Sequence, residues 1–251
     1  MSLRSTKALA LGFVMAAAWG VIAPAAAADD VIDVCIDQAS PTADFDRAVA
    51  NAVGERLDNP VAIETFDGTG DDESGFAPGN FVNLAETRCD VIMGFPVAHE
   101  QPRAPDSLEM TEAYLDTGYV LVTRDAARPT LAELPAGERV AVAFQTPANL
   151  LLLDRPKLKP VVVDHDEDGL KSVLDGNAAG ALVWEANLRR AQDNSAKVRS
   201  LHFRPVTQSR GKWSLVALYS PANAATGERF NAALQQVRAD SGTWKGLHER
   251  V

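Results

Sequence analysis

Val31-Ile32-Asp33-Val34-Cys35-Ile36 and Cys89-Asp90-Val91-Ile92-Met93-Gly94 are two short apolar runs, and each holds one of the chain's two cysteines. Both are rich in β-branched residues and read as strands. A single pair of thiols in an exported chain is most simply a disulfide, and two strands joined by one lie side by side in a sheet. The first and third strands of the chain are therefore expected to be neighbours. A redox-active pair is the other reading. Wide separation in sequence and apolar settings favour a structural bridge, worth about 3–4 kcal/mol by loop closure.

Export is read from the amino end. Arg4 and Lys7 precede an apolar run from Ala8 to Ala23, and Ala26-Ala27-Ala28 supplies small residues for cleavage before Asp29. Residues 1–28 are thus expected to be a signal peptide, since the run is short for a bilayer span and ends in a processing signature. Removing 28 of 251 residues leaves 223, and losing two basic residues takes the formal charge from −10 to −12. Such an acidic chain repels nucleic acid and anionic lipid, which are bound by clustered Lys and Arg. Cations, cationic proteins and neutral solutes are the partners it attracts. After the signal no apolar stretch is long enough to span a membrane, so the expected location is the periplasm, with secretion as the alternative.

Short β-branched runs alternate with helical patterns, the signature of βαβ units and a largely parallel α/β sheet. Strands are expected at 31–36, 61–66, from Cys89, at 115–123, 139–144, 160–164, 180–184 and 215–219. In the stretch 43–57, Phe45, Val49, Val53 and Leu57 recur every fourth residue and make one apolar helix face. Further helices are expected near 81–86, 147–153, 167–175 and 228–238. Thr146 before Pro147 reads as a helix start, with a hydroxyl cap and proline in the first turn. Two sets of elements divide the chain into a first lobe, 29–116 with 214–251, and a second, 117–213. With no low-complexity linker between them, they suit a hinged pair.

Several pieces, taken in order, resemble a known family. They are Ile32-Asp-Val-Cys-Ile36, Asp44 to Leu57, Leu84-Ala-Glu-Thr-Arg-Cys-Asp-Val-Ile-Met-Gly94, Tyr114 to Thr123, Thr130 to Leu134, Gly169 to Gly176 before Gly180-Ala-Leu-Val183, and Asp240 to Trp244. Together they resemble a family 3 periplasmic solute-binding protein, which implies the two-lobe type II fold. The first strand carrying Cys and the Arg88-Cys-Asp-Val-Ile-Met-Gly-Phe-Pro96 segment resemble the MoxJ type within it. That implies an accessory component of a PQQ-dependent methanol dehydrogenase, with the quinoprotein as partner. The alternative is the receptor of an ABC transporter for a small polar solute, with a permease as partner. A monomer without cofactor or enzyme activity is implied in either case.

In a two-lobe binder the ligand lies in the crevice at the carboxyl ends of the strands. Candidate contacts are then Asp37 and Gln38 after the first strand, Phe95 and Pro96 after the third, and Gln145, Thr146, Trp184 and Glu185 in the second lobe. Thr146 stands out because a helix amino terminus offers N–H groups and positive dipole to an anion, although a plain cap is an equal reading. Amino-acid binders of the family carry an aromatic in the first loop and an arginine after the third strand that grips a carboxylate. Here the stretch Asp37 to Asp44 has no aromatic, and Arg103 lies near the arginine's place among Pro96, Pro102 and Pro105. Amino-acid import is accordingly not expected.

Two acidic clusters suggest hard cations: Asp67 with Asp71, Asp72 and Glu73, and Asp164 to Asp168. Neither has EF-hand spacing, and a solvated loop and helix amino-terminal acids are the preferred readings, so no metal is expected. The chain has four histidines and no paired-histidine motif or nucleophile elbow. Ser209-Arg-Gly-Lys212 formally matches a Ser-x-x-Lys pattern without the supporting motifs of serine acyl enzymes.

Overall fold

The computed structural model describes residues 31–68 and 77–248. The expected signal peptide and the acidic residues Asp71, Asp72 and Glu73 lie outside those described. In chain order the elements begin β1 (Ile32–Asp37), α1 (Ala43–Leu57), β2 (Val61–Phe66), α2 (Pro78–Thr87), β3 (Val91–Ala98), β4 (Glu109–Met110) and β5 (Leu115–Thr123). There follow β6 (Arg139–Ala143), α3 (Ala148–Leu153), β7 (Lys159–Val163), α4 (Asp166–Leu174), β8 (Gly180–Trp184), α5 (Glu185–Asn194) and α6 (Ala196–Arg199). The chain closes with β9 (His202–Pro205), β10 (Lys212–Tyr219), α7 (Ala224–Ala239) and α8 (Ser241–His248).

The strands form one sheet in the order β2-β1-β3-β10-β5-β8-β6-β7, with β4 beside β10 and β9 beside β5. Pairing is parallel within β2-β1-β3 and within β8-β6-β7, and antiparallel on both sides of β5. β5 serves both halves: Leu115 to Gly118 pair with β10, whereas Tyr119 to Thr123 pair with β8. The change of partner falls at Gly118, where a Cβ would collide with the carbonyl oxygen of Gly211. Only glycine lets β5 pass so close to the segment entering β10.

Cys35 and Cys89 are joined by a disulfide with 5.7 Å between Cα atoms, and both are buried. β1 and β3 are adjacent, with Cys35 opposite Ile92, as the two cysteine-bearing runs led us to expect. The alternation of β1 puts Val34 and Ile36 against α1 and α7, while Cys35 faces Phe66, Leu84 and Ile92 on the α2 side. α1 forms where its apolar stripe dictates: Phe45, Val49 and Val53 are buried, and Asp58, with φ +55°, turns the chain out of the helix. Its buried Asp46 has no counterpart in the apolar pattern.

The second half is layered alike. Tyr119, Leu121, Val140, Val142 and Leu182 pack towards α3, and Val120, Val122, Ala141 and Val183 pack towards α4, α5 and α6. The helix start read at Thr146-Pro147 is corrected. α3 begins at Ala148, the flanking residue is Pro147, and the Thr146 hydroxyl donates to the Ala143 carbonyl at 2.9 Å instead of capping the helix. Gln145 at φ +54° makes the reversal that turns the hydroxyl back toward β6.

Candidate functional site

Between the two halves of the sheet lies a cleft of about 550 Å³, lined by Ala39, Pro41 and Pro96 from one side and by Ala143, Thr146, Pro147, residues 164–167, Trp184, Asn187 and Arg190 from the other, with Tyr119 and Trp213 from β5 and β10. Its placement follows from topology. Ala39 and Pro41 follow β1, Thr146 follows β6, Asp164 follows β7 and Trp184 ends β8, so parallel strands deliver their connecting loops to one crevice.

Three aromatic rings gather where the two long strands pass between the halves. Tyr119 meets Trp184 edge-on at 5.2 Å, and Trp184 meets Trp213 at 6.2 Å. Against them stands Asp166, first residue of α4, whose Oδ2 accepts from the Trp184 N–H at 3.0 Å and from Asn187 Nδ2 at 2.8 Å. Burial pushes the Asp166 carboxyl above its ordinary value, and the two hydrogen bonds offset that only in part. Burial, followed by the nearby Asp166 charge, pushes Tyr119 up to about 12. Arg190 bridges the crevice: it donates to the Ala39 carbonyl at 3.5 Å and to Asn187 Oδ1 at 3.2 Å, and lies 3.6 Å from Glu167.

The residues anticipated from sequence are scattered. Thr146 and Trp184 line the cleft. Asp37 ties the neighbouring loop, its Oδ1 accepting from the Ala39 and Gly68 N–H groups at 2.9 Å each, and Gln38 is exposed beside it. Phe95 points to the opposite face from Pro96 and packs edge-on against Phe81 at 5.1 Å. Glu185 pairs with Arg189 at 3.1 Å and borders a separate hollow with His248. Arg103 is exposed and does not line the cleft. Tyr119, Asn187, Arg190 and Trp213 are not among the residues the sequence singles out, and Asp166 figures there as part of an acidic cluster for which a helix-end acid is the preferred reading.

A second cavity, also about 550 Å³, lies away from the cleft and brings His99, Asp116 and Ser214 together. Ser214 donates to Asp116 Oδ1 at 2.8 Å, and His99 Nδ1 lies 2.8 Å from Ser214 Oγ and 3.3 Å from Asp116 Oδ1. A nucleophilic triad needs the acid on one ring nitrogen and the hydroxyl on the other. Here both crowd Nδ1, so the three side chains do not stand in a triad's order. Ser209 lies in a short 3-10 turn and Lys212 opens β10 as an exposed residue. Among the described residues no group of three or more His, Cys, Asp or Glu is arranged to hold a metal ion. No described helix is long and apolar enough to cross a membrane.

No protein-family model and no curated protein matches the sequence. Solved structures do match. A Salmonella typhimurium periplasmic binding protein of high arginine specificity is 19% identical, with 88% of this chain and 98% of that one covered, at a TM-score of 0.58. An ancestral cationic amino acid solute-binding protein is 16% identical over 88% and 94% of the two chains, at 0.65. A Bordetella pertussis BvgS VFT2 domain, in double-mutant form, is 16% identical over 88% and 92%, at 0.62. At such identities the likeness speaks for fold alone. The chain has the two-lobe fold of periplasmic binding proteins, and the crevice described above lies where its two lobes meet.

Proposed function

We propose that the chain is a periplasmic solute receptor, monomeric, which encloses a small solute between its lobes and presents it to an ABC-type permease. The lobes are residues 29–116 with 214–251, and 117–213. The observation that carries this reading is the cleft itself: both lobes line it, β5 and β10 cross at its floor, and Arg190 already reaches across to Ala39. Two crossing strands allow hinge closure while keeping the lobes in register. Fold neighbours described as binding proteins support the same reading, and their printed solutes are not transferred to this chain.

The accessory role beside a quinoprotein dehydrogenase, implied by the MoxJ-type resemblance, has no supporting observation in the cleft or among these neighbours. Closure is the test. Small-angle scattering and tryptophan fluorescence, which Trp184 and Trp213 would report, should both change when a periplasmic small-molecule extract is added. A chain that binds nothing from the extract, and instead co-purifies with a dehydrogenase, would refute the receptor reading.

A further inference from the structure

Resting on the receptor reading, we propose that the solute is a small organic cation of the substituted-ammonium kind, lacking a carboxylate, seated against Tyr119, Trp184 and Trp213 with its charge towards Asp166 and Asp164.

Four observations converge on that chemistry. The first is the charge of the wall: Asp164, Asp166 and Glu167 face the cleft against one arginine, with His165 exposed between them. Arg190 is committed to Glu167, Asn187 and the Ala39 carbonyl, which leaves the two aspartates uncompensated. The second is Asp166, only 8% exposed, whose Oδ2 takes both hydrogen bonds while Oδ1 receives none from any described residue. A largely buried carboxylate with no cationic partner is disfavoured in its charged form, and an entering cation offsets that cost.

The third is the aromatic cluster. Ring faces are negative, so they attract a cation and repel an anion. The fourth is the opposite wall, where Ala39, Pro41 and Pro96 present neither cationic side chains to clamp a carboxylate nor polar ones to read hydroxyls. Arg103 stands exposed elsewhere and supplies no clamp. A zwitterionic amino acid would leave its carboxylate facing aspartates and proline rings, and a sugar would leave most hydroxyls unpaired.

The test compares choline with neohexyl alcohol, its uncharged carbon isostere, by calorimetric titration of the full chain, together with native mass spectrometry of the chain as purified from its own cells. Choline should bind at least about tenfold more tightly than the isostere, as expected of a partly desolvated cation over aromatic faces. Asp166→Asn should erase most of that preference at an unchanged melting temperature. Asp164→Asn, at an exposed position, serves the same purpose if the first variant does not fold, and Trp184→Leu should weaken choline more than the alcohol. If neither probe binds but the native spectrum carries an organic cation, the class stands. Equal or tighter binding of the alcohol, or an anionic or uncharged solute in the native spectrum, overturns the cation and leaves the receptor reading intact. No bound solute in either experiment overturns both.

Discussion

Asp46 lies on the inner face of α1 without solvent exposure, its oxygens accepting from the Tyr114 hydroxyl at 2.6 Å and the Thr42 hydroxyl at 2.8 Å. Gly94, at φ +83°, lies so close that a Cβ there would come within 2.8 Å of the carboxylate. Burial outweighs the two hydrogen bonds and, with a smaller push from Asp37, takes the carboxyl from 3.8 up to about 7. The unfolded chain therefore gives up this proton near the lower value and the folded chain near the higher one. Between them the folded state binds more protons, so this group's contribution to stability is greatest in acid, falls as pH rises, and is level above about 7. A separation of about three pKa units corresponds to a fall of up to about 4 kcal/mol. In Asp46→Asn that dependence disappears. The amide oxygen still accepts from Tyr114, and its NH₂ donates to Thr42, whose hydroxyl turns to Ser40 Oγ at 3.0 Å. Urea unfolding of both proteins at intervals from about pH 4 to about pH 8 isolates the effect, because every other carboxylate cancels in the difference. The variant should gain on the wild type by up to about 4 kcal/mol across that range. A difference that stays constant with pH would mean that Asp46 is ionised throughout, and the argument from burial would fail.

Reducing the Cys35–Cys89 bridge, which spans 54 residues, should lower stability by about 4 kcal/mol through the entropy of the reopened loop, read as a shift in the urea midpoint with and without reductant. Gly118→Ala should drive a methyl group into the Gly211 carbonyl and cost about 2–3 kcal/mol, seen as a melting temperature lower by about 5–10 °C; an unchanged melting temperature would mean that the strand crossing is loose. Arg190→Ala removes the hydrogen bond from α5 to Ala39 but only half-exposed ion-pair partners, so stability should change by less than about 1 kcal/mol while bound solute dissociates faster in stopped flow. A slower or unchanged dissociation would remove Arg190 from the closure.

Where one physical signal dominates a segment, the sequence reveals the element. α1 runs over the residues its apolar stripe marks out, and β2, β5 and β8 occupy the β-branched runs residue for residue. Segments with weak signals were not foreseen. β4 has two residues and β9 four, and α5 buries just Ala186 and Leu188, too few to draw a stripe. That omission also hid the site, because Asn187 and Arg190 lie on α5. Asp166 looks like any acid at a helix amino end, and what distinguishes it is the packing of β8 and α5 over it, a tertiary fact with no local trace. Arg103 was placed by the spacing of a resembling family, and the proline-punctuated loop leaves it outside.

β10 lies between β3 and β5, though more than a hundred residues of chain separate it from β3. As the chain emerges amino end first, the second half of the sheet, β5 to β9, is complete before residues 212–219 arrive, whereas the first half still lacks β10 at the edge of β3. The part that begins first is thus the part that finishes last. During that wait β1 and β3 have only each other and β2, and the bridge between Cys35 and Cys89 holds the parallel pair in register, leaving one edge open for β10 to enter.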